Sequence, residues 1–462
     1  MRNPKKKAKS KSKAARPPQA SSKADMQVDE PTDKPQVWQP GDPIEEGEEL
    51  EYDRASYQCF HQLALEWPCL SFDILRDNMG APRTTFPLTQ YMVAGTQAPN
   101  ARGQTMVIAK LDRMGQGRHG DKAQEDEGAE DDEMSDSDGE EDDQPPIMHH
   151  RLISHPGSVN RIRAMPQQPS LVATWSERGT VQVYDVAAQL KELDEEGPGG
   201  SKGKKTPIYK VQPKETLKGH KTEGYAVDWS PVRAGLMATG DCGNAIRIWE
   251  PKDGGGWVTQ PNSCNAHEGS VEDIQWSPTE EDVFVSSSVD KHIFVWDKRQ
   301  SNSPMLKVQA HDADVNVVSW NRSTTYMLAS GGDDGVLRIW DLRNFTATDF
   351  VAHFKHHQAP VTSVEWCPHE PSMLATTSAD NQTIVWDLAL ERDPEEEAAM
   401  AADMEALGSN AVAPTDIPPQ LLFVHAGQRN VKEMHWHTQI PGLITATAED
   451  GFHVFKPSNL GM

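Results

Sequence analysis

Short runs in which apolar and polar residues alternate, or in which β-branched side chains cluster, recur along most of the chain after residue 68. CLSFDIL (69–75), VLRIW (336–340) and TIVWD (383–387) have the period of half-buried strands. Turn signals separate such runs: Ser277-Pro278, the stretch Gly331-Gly332-Asp333-Asp334-Gly335, and Cys367-Pro368. One earlier stretch has a different period. In SYQCFHQLALEW (56–67), Tyr57, Phe60, Leu63 and Ala64 recur at helical spacing, and Pro68 ends the run. The pattern predicts a helix over 53–68 followed by a strand-built body over 69–456.

That body repeats. His267 precedes Trp296 by 29 residues, His311 precedes Trp340 by 29, and His357 precedes Trp386 by 29. Each Trp is followed by Asp, with another Asp six before it (Asp290, Asp334, Asp380) and a hydroxyl ten before it (Ser286, Ser330, Thr376). Weaker copies run from His220 to Trp249, with Thr239 in place but Gly243 where Asp is expected, and from His155 to Tyr184, with Thr174 in place and Arg178 for the Asp. A last copy runs from His425 to Phe455, with Asp450 near its turn and one residue of slippage. A repeat of this length means stacked supersecondary units, none of which buries its faces alone.

These residues resemble those of the WD-repeat family. The resemblance implies an all-β fold, a propeller of four-stranded blades, in which Asp, His, Ser or Thr, and Trp form a buried hydrogen-bond chain within a blade. A protease reading of the recurring His, Ser and Asp fails, since a triad needs one nucleophile in one cleft. Three stretches, 113–144, 187–214 and 391–417, read as low-complexity insertions. The remainder of 69–456 is about 300 residues, enough for seven blades at about 43 residues each. Insertions of this kind tend to share one face.

Leu65-Glu66-Trp67-Pro68, with Leu70 two residues on, is similar to the opening of the retinoblastoma-associated histone-binding WD proteins. That resemblance implies an N-terminal helix on the propeller's side. It also implies that Leu70–Leu75 closes the ring with the His425–Phe455 blade. YMVAGT (91–96), MVIAKL (106–111) and HHRLISH (149–155) would form the blade that opens the ring.

Charge then changes the picture. The formal net charge is −25, unevenly spread. Residues 1–52 read as a disordered arm, basic and then acidic. Lys5, Lys6, Lys7, Lys9, Lys11, Lys13 and Arg16 lie in a stretch without acids, which suits nuclear targeting. Glu45, Glu46, Glu48, Glu49, Glu51 and Asp53 follow.

From Glu125 to Asp143, 13 of 19 residues are acidic and none is Lys or Arg: Glu125, Asp126, Glu127, Glu130, Asp131, Asp132, Glu133, Asp136, Asp138, Glu140, Glu141, Asp142 and Asp143. Like charges at this density repel and favour an extended interaction segment. Ser135 and Ser137 each have an acid three residues on, making them candidate phosphorylation sites. The two acidic stretches are the expected surface for a basic partner. Nucleic acid is disfavoured as main ligand by the same charge.

Other chemistry is sparse. Cys59, Cys69, Cys242, Cys264 and Cys367 form no paired motif, so neither a disulfide framework nor a zinc site is expected. No apolar run is long enough for a membrane helix and no secretory leader is visible, so a soluble intracellular protein is expected. His149-His150 and His356-His357 are adjacent on strands and point to opposite faces. No Gly-rich phosphate loop or unrepeated nucleophile appears, so no catalytic activity, cofactor, metal or small-molecule substrate is expected.

The Lys-rich start, the acidic insertion early in the propeller and the Leu-Glu-Trp-Pro opening together resemble the glutamate-rich WD-repeat subfamily, whose fungal members regulate ribosome biogenesis. That implies a nuclear and nucleolar factor, able to shuttle from the cytoplasm, which escorts the basic large-subunit ribosomal protein called L-three to pre-ribosomal particles. Histone binding is the implied alternative. A third reading is a cullin-ligase substrate receptor, drawn from Trp296-Asp297-Lys298-Arg299 and Trp340-Asp341-Leu342-Arg343.

Overall fold

The computed structural model describes residues 53–100, 103–115, 146–196, 206–259, 264–300, 302–391 and 418–462. Seven antiparallel sheets follow one another around a ring, each built from an inner, second, third and outer strand. Blade I comprises Cys69–Leu75, Leu88–Thr96, Thr105–Met114 and Ile147–Ser154. Blades II to VI start at inner strands Val159–Met165, Ala226–Trp229, Val271–Trp276, Val315–Trp320 and Val361–Trp366. Blade VII comprises Glu433–Trp436, Ile444–Ala448 and Gly451–Pro457, with Tyr57–Leu63 as its outer strand.

The core is divided into seven slabs, each filled from two neighbouring blades. Stacking therefore buries what a single sheet leaves open. Gly240 and Gly331 show how close the blades come. A Cβ at either position would stand 2.5 Å from Val271 Cγ1 or 2.4 Å from Val361 Cγ1, on the inner strand of the next blade.

Two expectations need correction. The run 56–67 is no helix: a 3-10 turn at Arg54–Ser56 leads into the strand Tyr57–Leu63, antiparallel to Gly451–Pro457. The same residues also have period two through Tyr57, Cys59, His61 and Leu63. The unpaired edge of the blade VII third strand selects that reading, because tertiary pairing outweighs local preference. Ring closure consequently falls to Tyr57–Leu63 and not to Leu70–Leu75, which belongs to the inner strand of blade I.

The stretch 187–214 also departs from a featureless insertion. Ala187–Glu195 forms the one α-helix among the described residues, and Ile208–Tyr209 adds a parallel fifth strand to blade I. Leu193 is buried against the blade I–II core. Tyr91 donates its hydroxyl to Asp194 at 2.5 Å, and Arg151 pairs with Glu192 at 3.0 Å and Glu196 at 2.9 Å. An insertion of blade II thus braces the outer edge of blade I.

The closing strand is secured by a small polar knot. His425 is fully buried, with Tyr57 Oη 2.8 Å from Nδ1 and His453 Nδ1 2.9 Å from Nε2. Burial holds both imidazoles neutral, His425 well below the usual range and His453 down to about 4. A histidine whose folded pKa is depressed contributes stability above its unfolded pKa, and that contribution is lost as pH falls towards the folded value. Unfolding free energy should therefore drop by about 1–3 kcal/mol between about pH 6.5 and pH 4. Urea titrations across that range, with His453→Asn flattening the dependence, check this.

Candidate functional site

The repeated His, Asp, hydroxyl and Trp residues form the expected chain. In blade IV, Trp296 Nε1 donates to Ser286 Oγ at 2.8 Å, Ser286 lies 2.7 Å from His267 Nε2, and His267 Nδ1 lies 2.8 Å from Asp290. A continuous proton order follows: indole to hydroxyl, hydroxyl to Nε2, and Nδ1–H to carboxylate. Trp340, Ser330, His311 and Asp334 repeat it in blade V, and Trp386, Thr376, His357 and Asp380 in blade VI.

Burial alone would raise the Asp290 carboxyl. The His267 hydrogen bond and the N–H groups of Glu268 and His292 outweigh it, to about 2. Each network is fully satisfied and internal, hence structural. Blade III has the same chain despite Gly243. Asp241, two residues earlier, lies 2.8 Å from His220 Nδ1, and Trp249 and Thr239 complete it.

The strand order sets where the insertions emerge. Each inner strand begins at one face, so the first-to-second and third-to-outer turns lie together at the other. The third-to-outer connections of blades I, II and VI are the long ones, and the chain reaches the outer strand of blade VII at that same face through Asp53. Blades VI, VII, I and II are consecutive around the ring. The corresponding connections of blades III, IV and V are short.

Of the expected acidic surface, Asp53 is described: it is exposed and caps the turn by accepting from Ala55 N at 2.9 Å. Glu45–Glu51, Glu125–Asp143, Ser135, Ser137 and Lys5–Arg16 lie outside the described residues.

A second feature escaped the sequence reading. The inner strands present polar side chains at equivalent positions around the central channel: Asp73, Arg163, Asp228, Gln275, Ser319, Glu365 and His435. Asp73 accepts from Ala164 N, Asp228 from Trp276 N, Gln275 from Trp320 N, Ser319 from Trp366 N and Glu365 from Trp436 N, each across a blade boundary. Trp229 Nε1 bridges to Arg163 O, and His435 Nε2 donates to Phe72 O at 3.1 Å. The signal was present as a polar residue directly before Trp229, Trp276, Trp320, Trp366 and Trp436.

His435 Nδ1 lies 2.9 Å from Glu365 and its Nε2 faces a carbonyl, so both nitrogens donate. Burial opposes the charge, but Glu365 and Glu433 lift His435 to about 10. Above them Glu433 is completely enclosed. Its Oε1 accepts from Arg161 and Arg163, both at 2.6 Å, and its Oε2 from Ser71 Oγ at 2.7 Å and Phe72 N at 2.9 Å. One carboxylate clasps blades I, II and VII.

The channel widens into a cavity of about 240 Å³ whose lining runs from this ring to a lip of Arg76, Pro166, Pro231 and Arg322, on the face that carries the insertions. Asp228 faces it, pushed up to about 7 by burial and by Asp273. A carboxyl with a raised folded pKa favours the fold below its unfolded value, and that help is lost as pH rises through about 7. Asp228→Asn, which keeps an acceptor for Trp276 N, should stabilise the protein by about 1–3 kcal/mol at pH 8 and little at pH 5. Thermal unfolding at the two pH values decides it.

Arg299 and Arg343 are exposed on the short connections of blades IV and V. Arg299 Nη2 reaches Asp297 at 2.5 Å, Arg343 Nη2 reaches Asp341 at 2.6 Å, and Arg343 stacks 3.7 Å over Tyr326. Among the described residues no cluster suited to a metal is present, and no helix is long and apolar enough to cross a membrane.

Fold and repeats define a WD-repeat β-propeller. Residues 259–297, 302–341 and 348–387 match the WD domain, G-beta repeat, and residues 47–114 match the family described as histone-binding protein RBBP4 or a component of the CAF1 complex. The WD40 propeller domain of Doa1 has the same fold, with a TM-score of 0.54 at 13% identity over 88% of this chain and 97% of that one.

The chain is 48% identical to the protein HEAT STRESS TOLERANT DWD 1 of Arabidopsis thaliana, over 92% of each. It is 44% identical to glutamate-rich WD repeat-containing protein 1 of Dictyostelium discoideum, over 92% of this chain and 85% of that one. With ribosome assembly protein rrb1 of Schizosaccharomyces pombe the identity is 41%, over 91% and 84%. This chain belongs to the glutamate-rich WD-repeat family.

Proposed function

We propose that this chain is a nuclear ribosome assembly factor, without catalytic activity, cofactor, metal or small-molecule substrate, that escorts a strongly basic large-subunit ribosomal protein, the one called L-three, to nucleolar pre-ribosomal particles. One observation carries the reading: the acidic insertion of blade I, the insertions of blades II and VI and the chain's approach to blade VII are all rooted on one face of four consecutive blades. Glu45, Glu46, Glu48, Glu49, Glu51 and Asp53, with the acids of 125–143, supply charge that attracts a basic chain over a distance. The rigid propeller supplies the fixed surface beside them. The names of the fungal and Dictyostelium relatives support the assembly role.

Histone binding is the second reading, favoured by the match over residues 47–114, which spans the closing strand and much of blade I. Both clients are basic, so charge alone does not separate them. The cullin-receptor reading draws less support, because Arg299 and Arg343 already engage Asp297 and Asp341.

Affinity purification of the full chain beside one lacking 121–143 tests this. A single basic ribosomal protein should dominate the first and fall about tenfold or more in the second, a loss of at least ~1.4 kcal/mol. Histones dominating both samples equally would replace the ribosomal client and reduce the acidic stretch to a solubiliser.

A further inference from the structure

Acidic segments attract any basic polypeptide, so they give a client affinity without choosing among clients. The lip of the central cavity has the opposite sign. Arg76, just past the inner strand of blade I, and Arg322, just past that of blade V, are exposed and line the cavity. Neither has a hydrogen bond or ion pair with another described residue. The deeper cations are already committed: Arg161 and Arg163 to Glu433, and His435 to Glu365. Asp228 has one oxygen on Trp276 N, and its other oxygen has no partner among the described residues.

We propose that this lip receives a single carboxylate side chain of the bound client, held by the Arg76 and Arg322 guanidiniums with the free Asp228 oxygen as a third contact. The proposal rests on the reading of this protein as an escort of a basic polypeptide, and deepens it by naming what the fixed surface recognises. Guanidinium groups match carboxylates in charge and donor geometry. Asp228, half protonated near neutral pH, has a proton to share with an incoming carboxylate. A phosphate group suits the cavity less, since a dianion would meet Asp73, Asp228 and Asp273 together. A basic protein with Lys or Arg at this place would face two unpaired guanidiniums and be rejected. Attraction then comes from the acidic segments, and discrimination from the lip.

Three peptides on the full-length protein test this. One is a lysine-rich 20-mer with a single central Glu, one has Gln there, and one is a Gly/Ser decapeptide with a single Glu. The Glu 20-mer should bind about fivefold or more tightly than the Gln 20-mer. In the Arg76→Ala, Arg322→Ala protein the difference should vanish, with the Gln peptide bound at least as tightly as before. Both residues are exposed, so the variant should keep its melting temperature.

The Gly/Ser peptide is read by saturation-transfer NMR and should give signal on the natural chain and none on the variant. Equal binding of Glu and Gln 20-mers, or Gly/Ser signal that is absent or survives the double substitution, overturns the proposal. Failure of both lysine-rich peptides to bind, with the Gly/Ser signal intact and lost in the variant, would instead sink the basic-client reading and leave the carboxylate site standing.

Discussion

Replacing Glu433 by alanine is expected to cost about 3–5 kcal/mol of stability, close to the whole margin of an ordinary domain. The side chain is 2% exposed and accepts four hydrogen bonds, from Arg161, Arg163, Ser71 and Phe72. Burial pushes its carboxyl up, and the two guanidiniums overcome this and hold it well below the usual range. Alanine would leave both guanidiniums in the channel without a counter-ion and strand the Phe72 N–H. Removing one partner of a buried ionic cluster is costlier than the cluster's net worth, because the remaining charge stays desolvated. Glu433→Gln keeps the acceptor but not the charge and should fall between. Urea midpoints at pH 7 measure both, and a loss under about 1 kcal/mol for the alanine variant would mean the clasp is not structural. The clasp also has a pH signature. A depressed carboxyl contributes above its unfolded pKa and is lost as pH falls through the folded one, so its loss lies below the histidine window at the closing strand.

Removing residues 1–63 is the second large effect, and the chain should then fail to fold as a soluble monomer. Blade VII would lose its outer strand and expose the edge of Gly451–Pro457. Tyr57 and Cys59 are buried and Phe60 is half-buried, with Phe60 centroids 5.4 Å from His425 and 5.1 Å from His453. At about 1.5–3 kcal/mol for each large apolar side chain, the strand supplies about 5 kcal/mol or more. An open sheet edge also invites pairing with other chains. Starting the chain at Asp53 keeps the strand and should give a melting temperature within a few degrees of the full chain. If a chain starting at Ala64 is soluble and melts in the same range, ring closure does not depend on this strand.

The His-to-Trp spacing made the blades legible because each network is local, spanning positions within one repeat plus the histidine before it. Blade III shows the limit of such spacing. Asp241 reaches His220 from two residues away from the expected place, which a rigid motif at Gly243 misses and geometry permits. The channel ring was less visible. Its bonds cross from Asp228 to Trp276 N, and from Gln275 to Trp320 N, over some 45 residues, where spacing within a repeat says nothing. Glu433 is further still from Ser71 and Arg161, since it joins the last blade to the first two.

The sequence by itself determined the repeat, the all-β class, the number of blades and the distribution of charge. Those are properties of period and composition, set residue by residue along the chain. Only the tertiary structure decided what depends on neighbours remote in sequence. Tyr57–Leu63 has both helical and strand periods, and the open edge of blade VII chose the strand. Ala187–Glu195 had an uncertain face until blade I offered Tyr91 and Arg151 to its acids. The insertions are separate in sequence and share a face because alternating antiparallel strands return the same pair of turns to the same end of every blade. Arg76 and Arg322 lie far apart along the chain, and closing the ring sets both at the lip of one cavity.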